Sequence, residues 1–138
     1  MNDELLFSDR VDAYDAHRPG YPPAVFDRMT AELTAPIRAL DVGCGTGLST
    51  RGVAPFVEHV VGVDPEEAML EAARRCGGAN ITYRVARIES LDDAEPFDLV
   101  LCAQSFHWFD TEATLARFHA LLRPAGRLAL LWLSLIHI

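Results

Sequence analysis

The chain has 138 residues, half of them hydrophobic, and a formal net charge of -8 from 12 basic against 20 acidic residues. That length suits one domain with a core of its own, and the negative balance without a basic cluster argues against a nucleic-acid partner, because binding phosphates requires cations. Arginine supplies every one of the 12 basic residues, which excludes lysine Schiff-base chemistry, and Cys44, Cys76 and Cys102 have neither the spacing nor the even number of a zinc site or disulfide framework.

Ser8 to His17 can form a short helix, interrupted by Arg18-Pro19-Gly20-Tyr21-Pro22-Pro23, where two kinds of breaker coincide. A second helix is predicted from Pro23 to Leu33, with Val25, Phe26, Met29 and Leu33 at the spacing of a buried face. From Ile37 onward strands and helices alternate, the pattern of parallel βαβ units. A strand over Ile37–Val42 runs into a glycine turn, and the helix after it should stop at Ala54, before Pro55. A second strand, His59–Val63, leads to Asp64-Pro65-Glu66-Glu67, which reads as a helix start with Asp64 as N-cap, proline at the first position and glutamate third. That helix should turn Ala68, Met69, Ala72 and Ala73 inward and end at Gly77-Gly78. Strands follow at Ile81–Val85 and Phe97–Cys102, separated by a solvated loop through Asp92, Asp93 and Glu95. Asp110-Thr111-Glu112 opens a helix with Leu115, Phe118 and Leu122 on its buried face; Pro124-Ala125-Gly126 closes it, and Arg127–Trp132 is the fifth strand. No signal peptide opens the chain and its longest apolar run is too short to span a bilayer, so a soluble, cytoplasmic protein without a membrane partner is expected.

The stretch Asp41-Val42-Gly43-Cys44-Gly45-Thr46-Gly47 organises the rest. Glycine is needed where the backbone takes a positive φ or must approach a ligand too closely for a Cβ. The spacing is Gly-x-Gly-x-Gly, because position 48 is leucine, so the dinucleotide fingerprint is not met; a P-loop is excluded by the absence of lysine.

This stretch resembles motif I of the class I S-adenosylmethionine (SAM) dependent methyltransferases. The resemblance implies that Asp41, Gly43, Cys44, Gly45 and Gly47 form a turn beneath the methionine part of SAM. It also implies that an acidic residue closing the second strand, here Asp64 in Val60-Val61-Gly62-Val63-Asp64, takes the ribose hydroxyls, with Pro65 and Met69 beside it. Asp64 thus has two readings, ribose ligand or helix cap. After the third strand the family places an acidic residue and a small one against adenine. Arg87 and Ile88 stand at those positions, so a carboxylate bond to the exocyclic amine is not expected, while Ile88 can offer its backbone donor and its side chain.

The fourth strand delivers Ala103-Gln104-Ser105-Phe106-His107-Trp108-Phe109-Asp110 at its carboxyl end, where ligands bind in open α/β sheets. This string is similar to a segment of the trans-aconitate methyltransferase-like subgroup, as is the entry segment with Tyr14, Arg18 and Tyr21. The resemblance implies cofactor contacts from Ala103, Gln104, Tyr14 and Arg18. The entry segment can equally be a rigid turn between helices, and Phe106, Trp108 and Phe109 a hydrophobic plug. His107 is either a packing residue or, for a hydroxyl or amine acceptor, the candidate general base; a carboxylate acceptor needs none.

The expected fold is α/β, a Rossmann-like three-layer sandwich whose mainly parallel sheet has strands in the order 3-2-1-4-5, the family's strands 6 and 7 being missing. Residues 1–34 form a helical cap segment, 35–132 an incomplete SAM-binding core and 133–138 a non-native tail. The expected function is SAM-dependent methyl transfer to a small-molecule carboxylate or hydroxyl, impaired by truncation, with association through the open edge of strand five. A non-catalytic SAM-binding fragment is the first alternative. An NAD-binding domain, which would need the wider glycine spacing, is the second.

Overall fold

The computed structural model describes residues 20–92, 95–103 and 111–131. Five strands form one sheet in the order β3-β2-β1-β4-β5: β1 (Arg38–Val42), β2 (His59–Asp64), β3 (Ile81–Val85), β4 (Phe97–Ala103) and β5 (Leu122–Leu131). Every neighbouring pair is parallel, and β1 at the centre pairs Leu40 with Val61 of β2 and with Val100 of β4. The predicted fold class, order and strand direction are those observed. Parallel strands need crossovers, and four helices are described between or beside them: α1 (Pro23–Thr30), α2 (Leu48–Val53), α3 (Glu67–Arg75) and α4 (Thr111–Leu121).

Alternation along the strands divides the core into two layers. Leu40, Val42, Val61, Val63, Val100 and Cys102 face one way and pack with Phe118 and Leu121 of α4 and with Ile88 and Leu91. Ala39, Val60, Leu99, Leu101 and Ala103 face the other and pack with Phe26 and Met29 of α1 and with Val53. Both faces of the central strands are therefore covered, which is why they read as near-continuous apolar runs. α1 therefore packs directly on one face of the sheet and shares its core.

Several local expectations are corrected. α1 ends at Thr30 rather than Leu33, because the Thr30 hydroxyl donates to the carbonyls of Phe26 and Asp27 and the chain then turns through Glu32 at φ 70°. The helix after the glycine turn ends at Val53, and Pro55 is accommodated in a 3₁₀ turn, Ala54–Phe56. α3 starts at Glu67, not at Pro65, and buries Leu70 with Ala72 and Ala73, leaving Ala68 and Met69 half-buried. On α4 the buried positions are Thr114, Phe118 and Leu121, one helical face, whereas Leu115 is 41 % exposed. Leu122 already belongs to β5.

The fifth strand departs most from expectation. It begins at Leu122, before Pro124-Ala125-Gly126, and its register jumps from Phe97–Leu122 to Leu99–Arg127. Asp98 of β4 sits opposite this irregularity and ties it down: its Oδ2 accepts from the Arg38 amide at 2.9 Å and its Oδ1 pairs with Arg123 at 3.1 Å. The strand-four loop 104–110 with Gln104 and His107, the entry segment with Tyr14 and Arg18, and the tail from 132 onward lie outside the described residues. Among the described residues no helix is long and apolar enough to cross a membrane.

Candidate cofactor site

The strand order reverses at β1, whose neighbours β2 and β4 lead in opposite directions along the sheet. The carboxyl end of β1 is therefore the point where such a sheet accepts a ligand, and the glycine turn leaves the strand there. Gly43, Gly45 and Gly47 all take positive φ, 67°, 56° and 89°. The amides of Gly43 and Cys44 both donate to the carbonyl of Val63, at 2.9 and 3.0 Å, which folds the turn back over the end of β2.

Gly45 and Gly47 use the missing side chain differently. A Cβ on Gly45 would meet nothing within 4 Å, so the turn presents open space there. One on Gly47 would overlap the Tyr83 hydroxyl and Arg51 Nη1 and press on Ala73, so that face of the turn is packed against the protein.

Asp64, 8 % exposed at the end of β2, bridges both sides of this geometry. Its Oδ2 accepts from the Gly45 amide at 2.9 Å and its Oδ1 from the Glu66 amide at 2.9 Å. The capping alternative is thereby corrected: the residue before α3 is Glu66, which makes no side-chain cap bond, and Asp64 instead holds the glycine turn to the β2–α3 connection. Each carboxylate oxygen has a second lone pair, so the same group can still accept from a ligand hydroxyl.

Asp41 lies deeper. It is 0 % exposed, and its Oδ2 accepts from the hydroxyls of Ser49 and Thr50, each at 2.7 Å. Among the described residues this carboxylate thus braces the first turn of α2 beneath the glycine turn rather than facing the open side. Cys44 is buried in the same knot. Burial, reinforced by the Asp41 and Asp64 carboxylates, pushes its thiol far above the ordinary range, so it stays protonated and unreactive.

Beside the turn, Val42, Gly43, Val63, Pro65, Ala86, Arg87, Ile88 and Glu89 line a cleft of about 140 Å³. Val42, Val63 and Ile88 are buried in it while Arg87 and Glu89 are exposed, so it is mainly apolar with polar groups at its edge. Gly43, Pro65 and Ile88 of the sequence-predicted set line it. Met69 is half-buried on α3, and Ala103 ends β4 at 8 % exposure in the α1-facing layer. Sequence reasoning missed Ser49, Thr50, Arg51 and Tyr83, which support the turn from behind. Ser49, Thr50 and Arg51 sit one helical turn beyond the glycines, but only the folded turn reveals what they hold.

The open space at Gly45, the acid beside it and the apolar cleft lie together at the carboxyl ends of β1 and β2. A family profile described as a methyltransferase domain matches residues 39–126, which takes in the glycine turn, Asp64 and the cleft. The chain belongs to the class I SAM-dependent methyltransferase family. An uncharacterised methyltransferase of Mycobacterium tuberculosis is 38% identical over 128 residues, covering 93% of this chain and 52% of the relative. A solved structure from Anaeromyxobacter dehalogenans, described as a type II methyltransferase, is 38% identical with a TM-score of 0.76, covering 86% of this chain and 50% of the other. The SAM-bound amino pentose methyltransferase CalS10 of Micromonospora echinaspora, involved in calicheamicin biosynthesis, is 31% identical with a TM-score of 0.70, covering 78% and 47%. This methyltransferase chain spans about half the length of the curated relatives it matches.

Proposed function

We propose that this chain binds SAM across the carboxyl ends of β1 and β2 and transfers its methyl group to a small-molecule carboxylate or hydroxyl. The observation that carries the reading is the pairing of Gly45, open on its ligand side, with Asp64, which bonds the Gly45 amide and retains lone pairs for the ribose. The glycine turn would lie against the methionine part and the cleft between Pro65 and Ile88 would take adenine. When bound, SAM supplies both the electrophilic methyl group and its leaving group. The work left to the chain is to orient the cofactor, exclude water and align an acceptor. His107 is the proposed base for a hydroxyl acceptor. Tyr14, Arg18, Ala103 and Gln104 are proposed cofactor contacts, and the proposed kinship to trans-aconitate methyltransferase-like enzymes rests on Tyr14, Arg18 and Tyr21 and on Ala103 with Phe106-His107-Trp108-Phe109.

Calorimetry with SAM and with NAD tests the binding step. We expect SAM to bind and NAD not to, and Gly45→Val to abolish SAM binding in a folded protein, since a β-branched residue at φ 56° is strained and its side chain fills the open space. Tighter binding of NAD, or unchanged SAM binding by Gly45→Val, would overturn the reading.

The second reading is a chain that binds SAM without efficient turnover. Methyl transfer from labelled SAM to a panel of small carboxylic acids and alcohols separates the two, because binding without product formation leaves only the second.

A further inference from the structure

Arg51 stands behind the glycine turn, half-buried on α2. Its Nη1 donates to the Thr46 carbonyl at 2.7 Å, while its own amide donates to the Gly47 carbonyl at 2.8 Å. Thr46 C=O and Gly47 N–H belong to one peptide unit, and that unit is held at both ends: the carbonyl by Arg51 and the amide by the Cys44 carbonyl at 3.0 Å. The unit lies beside two residues, Gly45 and Gly47, that sit at positive φ. A flip of this unit changes Thr46 ψ and Gly47 φ, and glycine populates positive and negative φ about equally, so Gly47 offers little resistance to the flipped orientation.

The choice must come from the partners. A bond from a guanidinium is roughly twice as strong as a neutral amide bond, so Arg51 dominates it. The packing around Arg51 admits little else, since Tyr83 Oη and Arg51 Nη1 together fill the space a Gly47 side chain would need. Burial pushes the Tyr83 phenol above its ordinary value against the opposing Arg51 charge, so the hydroxyl stays neutral and Arg51 remains the cation facing the turn. On the opposite side of the same turn, Gly45 offers its amide to Asp64 and its open face outward.

We propose that Arg51 is a positioning residue for the cofactor site, holding the Thr46–Gly47 peptide in the one orientation that keeps the glycine turn ready for its ligand. The inference rests on the SAM-binding reading. A turn that flips freely is competent only part of the time, and apparent affinity falls by the competent fraction.

The test compares wild type, Arg51→Met and Arg51→Lys by calorimetry with SAM, by thermal melting, and by the amide resonances of Gly45 and Gly47 in the ligand-free protein. Arg51→Met should weaken SAM binding about tenfold, as for a competent population reduced to roughly a tenth. Its melting temperature should stay near wild type while the glycine resonances broaden or double. Arg51→Lys, which keeps one donor, should recover most of the loss. Wild-type affinity in Arg51→Met overturns the proposal, and so does a loss that follows the melting temperature while the glycine resonances stay sharp. If wild type does not bind SAM at all, the SAM reading falls and the affinity consequence with it; broadened resonances in Arg51→Met would then still uphold the peptide lock, and sharp ones would overturn it.

Discussion

At the scale of single residues, Asp64 has two kinds of work, and its removal separates them. In the free protein its carboxylate accepts from the Gly45 and Glu66 amides, both in part-buried positions. Asp64→Ala leaves these donors without their acceptor and should lower stability by about 1–3 kcal/mol. It should also weaken SAM binding by about 1–3 kcal/mol, the worth of charge-assisted bonds to ribose. Calorimetry on the still-folded variant reads the second effect, and an unchanged affinity beside a lowered melting temperature would leave Asp64 a turn anchor only. Cys44 and Tyr83 make a pH prediction. Both are pushed upward by burial in the folded state, so below the ordinary thiol value of roughly 8.5 folded and unfolded chains are equally protonated there and stability is at its full value. Above it the unfolded chain releases protons that the folded chain keeps, so unfolding becomes easier as pH rises toward and past the ordinary tyrosine value of roughly 10. All basic residues apart from histidine being arginine, no lysine titrates in that window. Urea midpoints should fall between pH 8 and pH 10, and Cys44→Ala should fall less.

At the scale of elements, the join between β4 and β5 depends on Asp98. This residue is 7 % exposed and satisfies the Arg38 amide of β1 while pairing with Arg123 in the irregular stretch of β5. Arg123 is about half exposed, so the ion pair itself contributes little. Most of the effect comes from the backbone amide. Asp98→Ala should cost about 2 kcal/mol by leaving that buried donor unsatisfied, whereas Asp98→Asn, which keeps an acceptor, should cost less than half as much. Equal losses in chemical denaturation would mean that the charge, not the acceptor, matters. The same element explains why Pro124-Ala125-Gly126 misleads as a helix terminator: α4 has already ended at Leu121, and the three residues are absorbed as an irregularity of the strand, with Ala125 at φ 67°.

At the scale of the molecule, β4 is the one strand paired with β5 among the described residues, and Leu128, Ala129, Leu130 and Leu131 of β5 are only half-buried. An open edge of this kind templates pairing with another chain unless charge or proline interrupts it. We propose that the chain self-associates through this edge of β5, and that Leu130→Lys, which adds a charge there, is monodisperse. Size-exclusion chromatography with light scattering compares the two, and a monodisperse 138-residue monomer would show that the edge is closed by other means.

What the sequence determined by itself was the class and the centre of the fold. Strand and helix periodicities alternate from Ile37 onward, the glycines at 43, 45 and 47 mark a turn that only residues without a side chain can make, and an acid closes the next strand, so the α/β class and the ligand end were legible, while the strand order came from the resemblance to the methyltransferases. What the tertiary structure decided was every role that depends on which groups meet. Asp64 had two readings, ribose ligand or helix cap, because its local sequence is also that of a cap; the fold instead gives its carboxylate the amide of Gly45, 19 residues away in the chain. Asp41 looked like a ligand contact, yet Ser49 and Thr50 enclose it. Arg51 and Tyr83 carried no motif at all, since the first is a surface-like residue of a short helix and the second an ordinary strand aromatic. Hydrogen-bond partners and packing faces are set by distances across the fold, and a linear pattern encodes only the period of each element, not the neighbour it will find.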